Sequence, residues 1–68
     1  MRIQYHFDDH EVATTELRGK RCIAYRNDLN APAVRWRAII AARREPFGVG
    51  RNAQEAFERL RAQMGGGS

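Results

Sequence analysis

The chain is short of the residues from which many catalytic and disulfide-built domains are made. Its one cysteine, Cys22, excludes an internal disulfide framework and a cysteine zinc cluster. No apolar run approaches the ~18 residues of a membrane helix. The first residues lack the basic-then-apolar pattern of a signal peptide. We therefore expect a cytoplasmic protein with no membrane partner. At 68 residues there is room for one small domain and none for a nucleotide-binding βαβ fold with a substrate domain. A chain this size buries only ~60% of the surface its unfolded form exposes, so it needs tight packing or self-association, and a homodimer is one expected form. Hydrophobic residues make up 43% of the chain, but ten of them are alanine, which leaves material for one thin two-layer core.

Lysine is almost absent, yet the chain is basic. Of twelve basic residues only Lys20 is not arginine, and the formal net charge is +4. Residues 1–30 carry five basic and five acidic groups and net to zero, so the whole excess lies in residues 31–68. Arginine grips carboxylates and phosphates with a planar fork and stacks on flat surfaces. Such a balance suits an acidic protein surface or a nucleic-acid backbone.

Residues 2–7 alternate, with Ile3, Tyr5 and Phe7 on one side and Arg2, Gln4 and His6 on the other, as in a half-buried strand. Residues 12–26 read as a hairpin turning at Arg18-Gly19-Lys20, where glycine supplies the positive φ. Its second strand puts Ile23 and Tyr25 on one face and Cys22 and Ala24 on the other. Asn27 to Ala33 reads as a loop. Residues 34–44 allow two readings. As a strand, Val34, Trp36, Ala38, Ile40 and Ala42 share one face and Arg35, Arg37 and Arg43 the other. As a helix, Asn30 caps it and Pro32 sits in its first turn. The clean alternation from 34 to 38 favours the strand. Pro46 ends the element either way.

The last element is a helix of about 13 residues. Asn52 caps it, Glu55 completes a capping-box pair, and Ala53, Ala56, Phe57, Leu60 and Met64 form one apolar stripe. Glu55 supports Arg59 four residues on, and Arg59 and Arg61 suit the C-terminal dipole. Residues 1–64 make the domain, and Gly65-Gly66-Gly67-Ser68 reads as an appended linker tail. The expected fold is α+β: a small antiparallel sheet of three to four strands with one C-terminal helix packed on it, in β-β-β-α order. The expected core is Tyr5, Phe7, Ile23, Trp36, Ile40, Phe57 and Leu60.

Few residues offer chemistry. His6, Asp8 and His10 share a face if the first strand runs on, a set that could hold a divalent ion. A solvated turn explains Asp8-Asp9-His10-Glu11 more simply, because a turn supplies no fixed surroundings for a metal. Cys22 stands beside Lys20 and Arg21, which lower a thiol pKa, but a lone strand cysteine reads as a small buried apolar residue. Gly48-Val49-Gly50 before the helix could hold an anion, with Arg51 beside it, or simply let the chain turn tightly into the helix. We expect no cofactor, no metal and no catalysis. The binding candidates are Arg35, Arg37, Arg43, Arg44 and Arg51. On a sheet face away from the helix, with the rings turned inward, the arginines make a flat basic surface.

Residues Gly48-Val49-Gly50-Arg51-Asn52-Ala53-Gln54-Glu55-Ala56 resemble two families. One is the double-stranded-RNA-binding domain, in which Gly-x-Gly and a capping residue join the last strand to the last helix. That likeness implies a three-stranded sheet under a helix. The family's phosphate-binding lysines fall on Ala53, Gln54 and Phe57, so its RNA site is not implied. The other is the HicB-like antitoxin domain, whose Gly-x-Thr-x-Glu-Glu-Ala turn opens the helix behind a small sheet, here with Asn52 for Thr and Gln54 for the first Glu. That likeness implies protein binding. The expected function is a non-catalytic module acting by protein contact on an acidic surface, an inhibitor or antitoxin-like protein of phage or mobile-element type. The alternative is a small basic nucleic-acid-binding protein using an Arg-rich sheet face.

Overall fold

A computed structural model of the chain describes residues 3–7 and 12–65. It is an α+β fold. Strands β1 (His6–Phe7), β2 (Ala13–Leu17), β3 (Lys20–Arg26), β4 (Trp36–Ile40) and β5 (Phe47–Gly50) form one antiparallel sheet in the order of the sequence. Helix α1 (Ala53–Met64) packs across it. The sheet thus has one strand more than the most the sequence led us to expect.

The β2–β3 hairpin turns on two residues, Arg18 and Gly19, with φ of 52° and 77°. Two successive positive φ values match the right-handed twist of the flanking strands. Between β3 and β4 a 3₁₀ turn at Pro32–Val34 takes the place of the longer helix, and the strand reading holds for Trp36–Ile40. The alternation stops there. Ala42 takes a φ of 65° and Arg43 N–H donates to Ile40 O at 3.0 Å, so the chain turns. The turn carries Arg43 off the face assigned to it by period-two counting.

The strand missed in sequence is β5. Its four residues, Phe-Gly-Val-Gly, read as a turn because glycine is rare in strands. Here glycine serves close approach. Across the sheet, register places Ala13, Ala24, Ala38 and Gly48 side by side. Those four small residues form a shallow floor, and α1 sits into it. A Cβ at Gly48 would collide with the helix backbone at Ala56 O and Leu60 N. Ala53 and Ala56 turn the smallest side of the helix to the sheet, while Phe57 and Leu60 fill the space beside it, both fully buried. Burying each is worth roughly 1.5–3 kcal/mol.

The floor decides which face of β3 is inside. Cys22 and Ala24 are fully buried under the helix, and Ile23 is not in the core but on the opposite face, half-buried. Phe7 is also outside the expected core, at 55% exposed. It meets Trp36 at 6.0 Å and Tyr5 at 5.7 Å, and Tyr5 meets Phe57 at 5.6 Å. These rings close the core on its β1 side. Ile3 and Leu17 complete it. At the helix start Asn52 Oδ1 accepts from Glu55 N–H at 2.8 Å, and Glu55 Oε1 accepts from Arg51 N–H at 3.3 Å. Gly65, counted with the tail in sequence, closes the helix by donating to Arg61 O at 3.2 Å.

Gly48→Ala should cost about 3 kcal/mol by overpacking against backbone that has no room to move. Gly19→Ala meets nothing within 4 Å and should cost only the left-handed penalty of about 1 kcal/mol. Urea midpoints of the two variants check this, and equal losses would contradict the nesting of the helix. Burial raises the Cys22 thiol above its ordinary 9.0. Below pH 9 the thiol is protonated in folded and unfolded chains alike and contributes no pH dependence. Above it the unfolded chain sheds its proton first, so stability should fall with rising pH until the folded-state pKa is passed. Cys22→Ala should remove that part of the alkaline decline in a pH series of urea melts.

Candidate functional site: the open face of the sheet

A helix of 12 residues covers one side of the sheet, and no described element packs on the other. On the bare side, register aligns His6, Thr14, Ile23, Ile39 and Phe47 in one row across all five strands. The next row is Tyr25, Arg37 and Val49. At one end of the face Glu16 lies opposite Arg21. Beyond the other end, in the loop before β4, Arg35 has helical backbone angles and its carbonyl accepts from Asn27 N–H at 2.8 Å. Ile23, Tyr25, Ile39 and Val49 are half-buried by their neighbours alone, and Phe47 is 38% exposed. An apolar patch of this kind on a small chain marks an interaction surface.

Arg37 lies flat on this patch. Its guanidinium sits 4.3 Å from the centre of the Phe47 ring. Its Nε is shielded and has no hydrogen-bond partner, so stacking on the ring rather than hydrogen bonding holds the side chain down. Arg35 is steered by Asp28, with Nε 3.9 Å from Oδ1, and Asp28 also takes Arg26 at 3.0 Å. Exposed pairs like these are worth about 0.2–1 kcal/mol, enough to orient a side chain and too little to hold it from a partner.

The five arginines singled out in sequence do not form one site. Arg37 stands on the open face, as the alternation requires, whereas Arg35 ends the 3₁₀ turn before β4 with φ −69° and ψ −30°, outside the alternation that placed it there in sequence. Arg43 and Arg44 lie in the turn after β4, exposed. Arg51 stands at the helix start and pairs with Glu55 at 3.7 Å. The expectation of inward rings also needs correcting, because Tyr25 and Phe47 are on the open face. Leu29, at the tip of the loop beyond Arg35, is 95% exposed and escaped notice because nothing periodic surrounds it.

His6 sits at the sheet edge, its Nε2 3.0 Å from Thr14 Oγ1. A cleft of about 490 Å³ opens between the β1 and β2 segments, lined by residues that include Gln4, His6, Thr14, Glu16 and Arg21. Asp8, Asp9, His10 and Glu11 lie outside the described residues. Among the described residues no group of three or more His, Cys, Asp or Glu side chains gathers as a metal site requires. Cys22 is fully buried under the helix, and its Sγ donates to Lys20 O at 3.4 Å, so it serves as core.

The edge at β5 is closed to strand addition. Phe47 O accepts from Gln63 Nε2 at 2.6 Å and Val49 O from Arg59 Nη1 at 2.8 Å. Glu55 holds Arg59 at 3.3 Å. Two carbonyls that a further strand would use are thus taken by the helix. Charged and polar side chains placed this way blunt sheet edges against pairing with other chains.

No protein-family model, curated protein or solved structure matches this chain. Among the described residues no helix is long and apolar enough to cross a membrane.

Replacing both Arg59 and Gln63 with alanine should cost about 1 kcal/mol for each hydrogen bond lost. It should also expose the β5 edge. Sedimentation velocity should then show association rising with concentration in the double variant, and unchanged sedimentation would mean that the side chains do not guard the edge.

Proposed function

We propose that the protein is a non-catalytic binding module that docks its open sheet face on an acidic protein surface, as an inhibitor or antitoxin-like partner does. The observation that carries this reading is the bare face itself, where Ile23, Ile39, Val49, Tyr25 and Phe47 surround Arg37. Interfaces of this kind combine an apolar centre with aromatic and arginine anchors, and such anchors dominate binding energy. Among the described residues, register puts two cations, Arg21 and Arg37, on that side with one acid, Glu16. A complementary partner is therefore acidic. The same imbalance disfavours a second copy, since a twofold face-to-face dimer would bring these cations together. The resemblance of residues 48–56 to HicB-like antitoxin domains supports a protein partner and not the sign of its charge.

A second reading is favoured by one contact. Arg37 stacked on Phe47 beside Tyr25 is a ring-and-cation pair of the type that holds unpaired bases. The protein reading ranks above it because the central row offers Ile23 and Ile39 where a stacking platform would offer rings.

The test uses two probes: a synthetic amphipathic peptide alternating Glu with Leu, and mixed-sequence single-stranded RNA. The peptide should bind with an affinity that survives 150 mM salt, and Ile39→Asp and Arg37→Glu should each weaken it at least tenfold (about 1.4 kcal/mol). Neither variant should unfold the chain, because both side chains lie outside the core. RNA binding with a salt slope of several units, lost in Arg37→Glu, would replace this reading with the second. Binding of neither probe would overturn both.

A further inference from the structure

Three cations that belong neither to the open face nor to an ion pair stand together. Arg18, Lys20 and Arg43 border one cleft of about 220 Å³, at the end of the sheet away from Arg35 and under the last turn of α1. At ~30 Å³ per water, that space holds an oxyanion together with part of its hydration. None of the residues lining it is acidic. The ion pairs at Asp28 and Glu55 take Arg26, Arg35, Arg51 and Arg59, and none of the three cleft cations pairs with a described carboxylate. The cleft wall also contains Ile40, Pro46 and Met64.

The backbone supplies an independent observation. Among the described residues two that are not glycine have positive φ: Arg18 at 52° and Ala42 at 65°. One carries a cleft cation and the other precedes Arg43, so both strained turns border this cleft. A residue with a Cβ in the left-handed region costs ~1–2 kcal/mol. Asparagine or glycine fits the first position of a two-residue hairpin turn, and this chain holds arginine there. Strain of this kind is kept where a side chain has work to do, as in ligand clamps.

We infer that this cleft is a binding site for a small phosphate monoester carrying an apolar body. Phosphate monoesters carry about −1.5 to −2 charge at pH 7 and offer three acceptor oxygens, which suits three cations around one cleft better than a carboxylate with a single charge. Arg18, whose guanidinium lies against Gly65 at the end of α1, and Arg43 present forked donors and Lys20 a point charge. Ile40, Pro46 and Met64 supply apolar contact for the organic group. The site lies apart from the open sheet face and does not depend on the reading given to that face.

The test is a ¹⁵N chemical-shift titration of the full chain at constant ionic strength with inorganic phosphate, phenyl phosphate and benzoate. Phenyl phosphate should saturate, with shifts centred on residues 18–20, 43 and 63–65. It should bind at least fivefold tighter than inorganic phosphate and at least tenfold tighter than benzoate. Arg18→Gly discriminates a site from a structural cation, because it relieves the strained turn: its melting temperature should hold or rise while phenyl phosphate affinity falls at least tenfold. Arg43→Ala should show the same loss of affinity. Arg35→Ala, at the far end of the sheet, should leave the affinity unchanged. Shifts that stay linear and scattered would overturn the inference, as would benzoate binding equal to phenyl phosphate or full affinity in Arg18→Gly.

Discussion

The helix backbone rests on the sheet backbone at Gly48, and the rest of the molecule follows from that contact. Close approach needs a floor with almost no side chains, which Ala13, Ala24, Ala38 and Gly48 provide in one row. It also needs a helix with a small face, which Ala53 and Ala56 provide. Packing at this distance lets a chain with few large apolar residues still exclude water from a core. Phe57 and Leu60 fill what remains, and the rings of Tyr5, Phe7 and Trp36 close its side.

The same contact distributes the larger side chains. With the small residues of β3 turned to the helix, Ile23 and Tyr25 must stand on the other side, and Ile39 and Val49 follow by register. The protein therefore keeps its thin core covered and presents its bulkier strand residues to a partner. Arginine is divided in the same way. Arg37 remains on the strand face, while the turn at Ala42 swings Arg43 to the helix side, toward Arg18 and Lys20. The cations thus stand on two surfaces of different chemistry, one wide and apolar and one a small cleft. With the β5 edge held by Arg59 and Gln63, association is steered to faces rather than to strand addition.

The helix was fully legible in the sequence, from the Asn52 cap to the stripe ending at Met64, because its period and its cap are local signals. The Arg18-Gly19 hairpin was legible for the same reason. Two things were not. Alternation in β3 shows that Ile23 and Cys22 face opposite ways but not which is inside. Hydrophobicity chooses Ile23, whereas the close-packed helix requires Cys22 and Ala24. Phe47–Gly50 could not be read as a strand because its glycines answer to a helix backbone ten residues further along the chain, not to their neighbours. The open face itself was half legible: the alternation places Arg37 correctly, but Arg35 falls in the turn before β4 and Tyr25 stands with Ile23 on the open side.

The most direct measurement is attenuation of methyl signals by a soluble paramagnetic agent, read residue by residue at low protein concentration. The account predicts strong attenuation at Ile23, Ile39 and Val49 and protection at Ile3, Ile40 and Leu60. Equal protection of both sets would mean that the second face is covered, and the division of the sheet into a packed side and a docking side would fail.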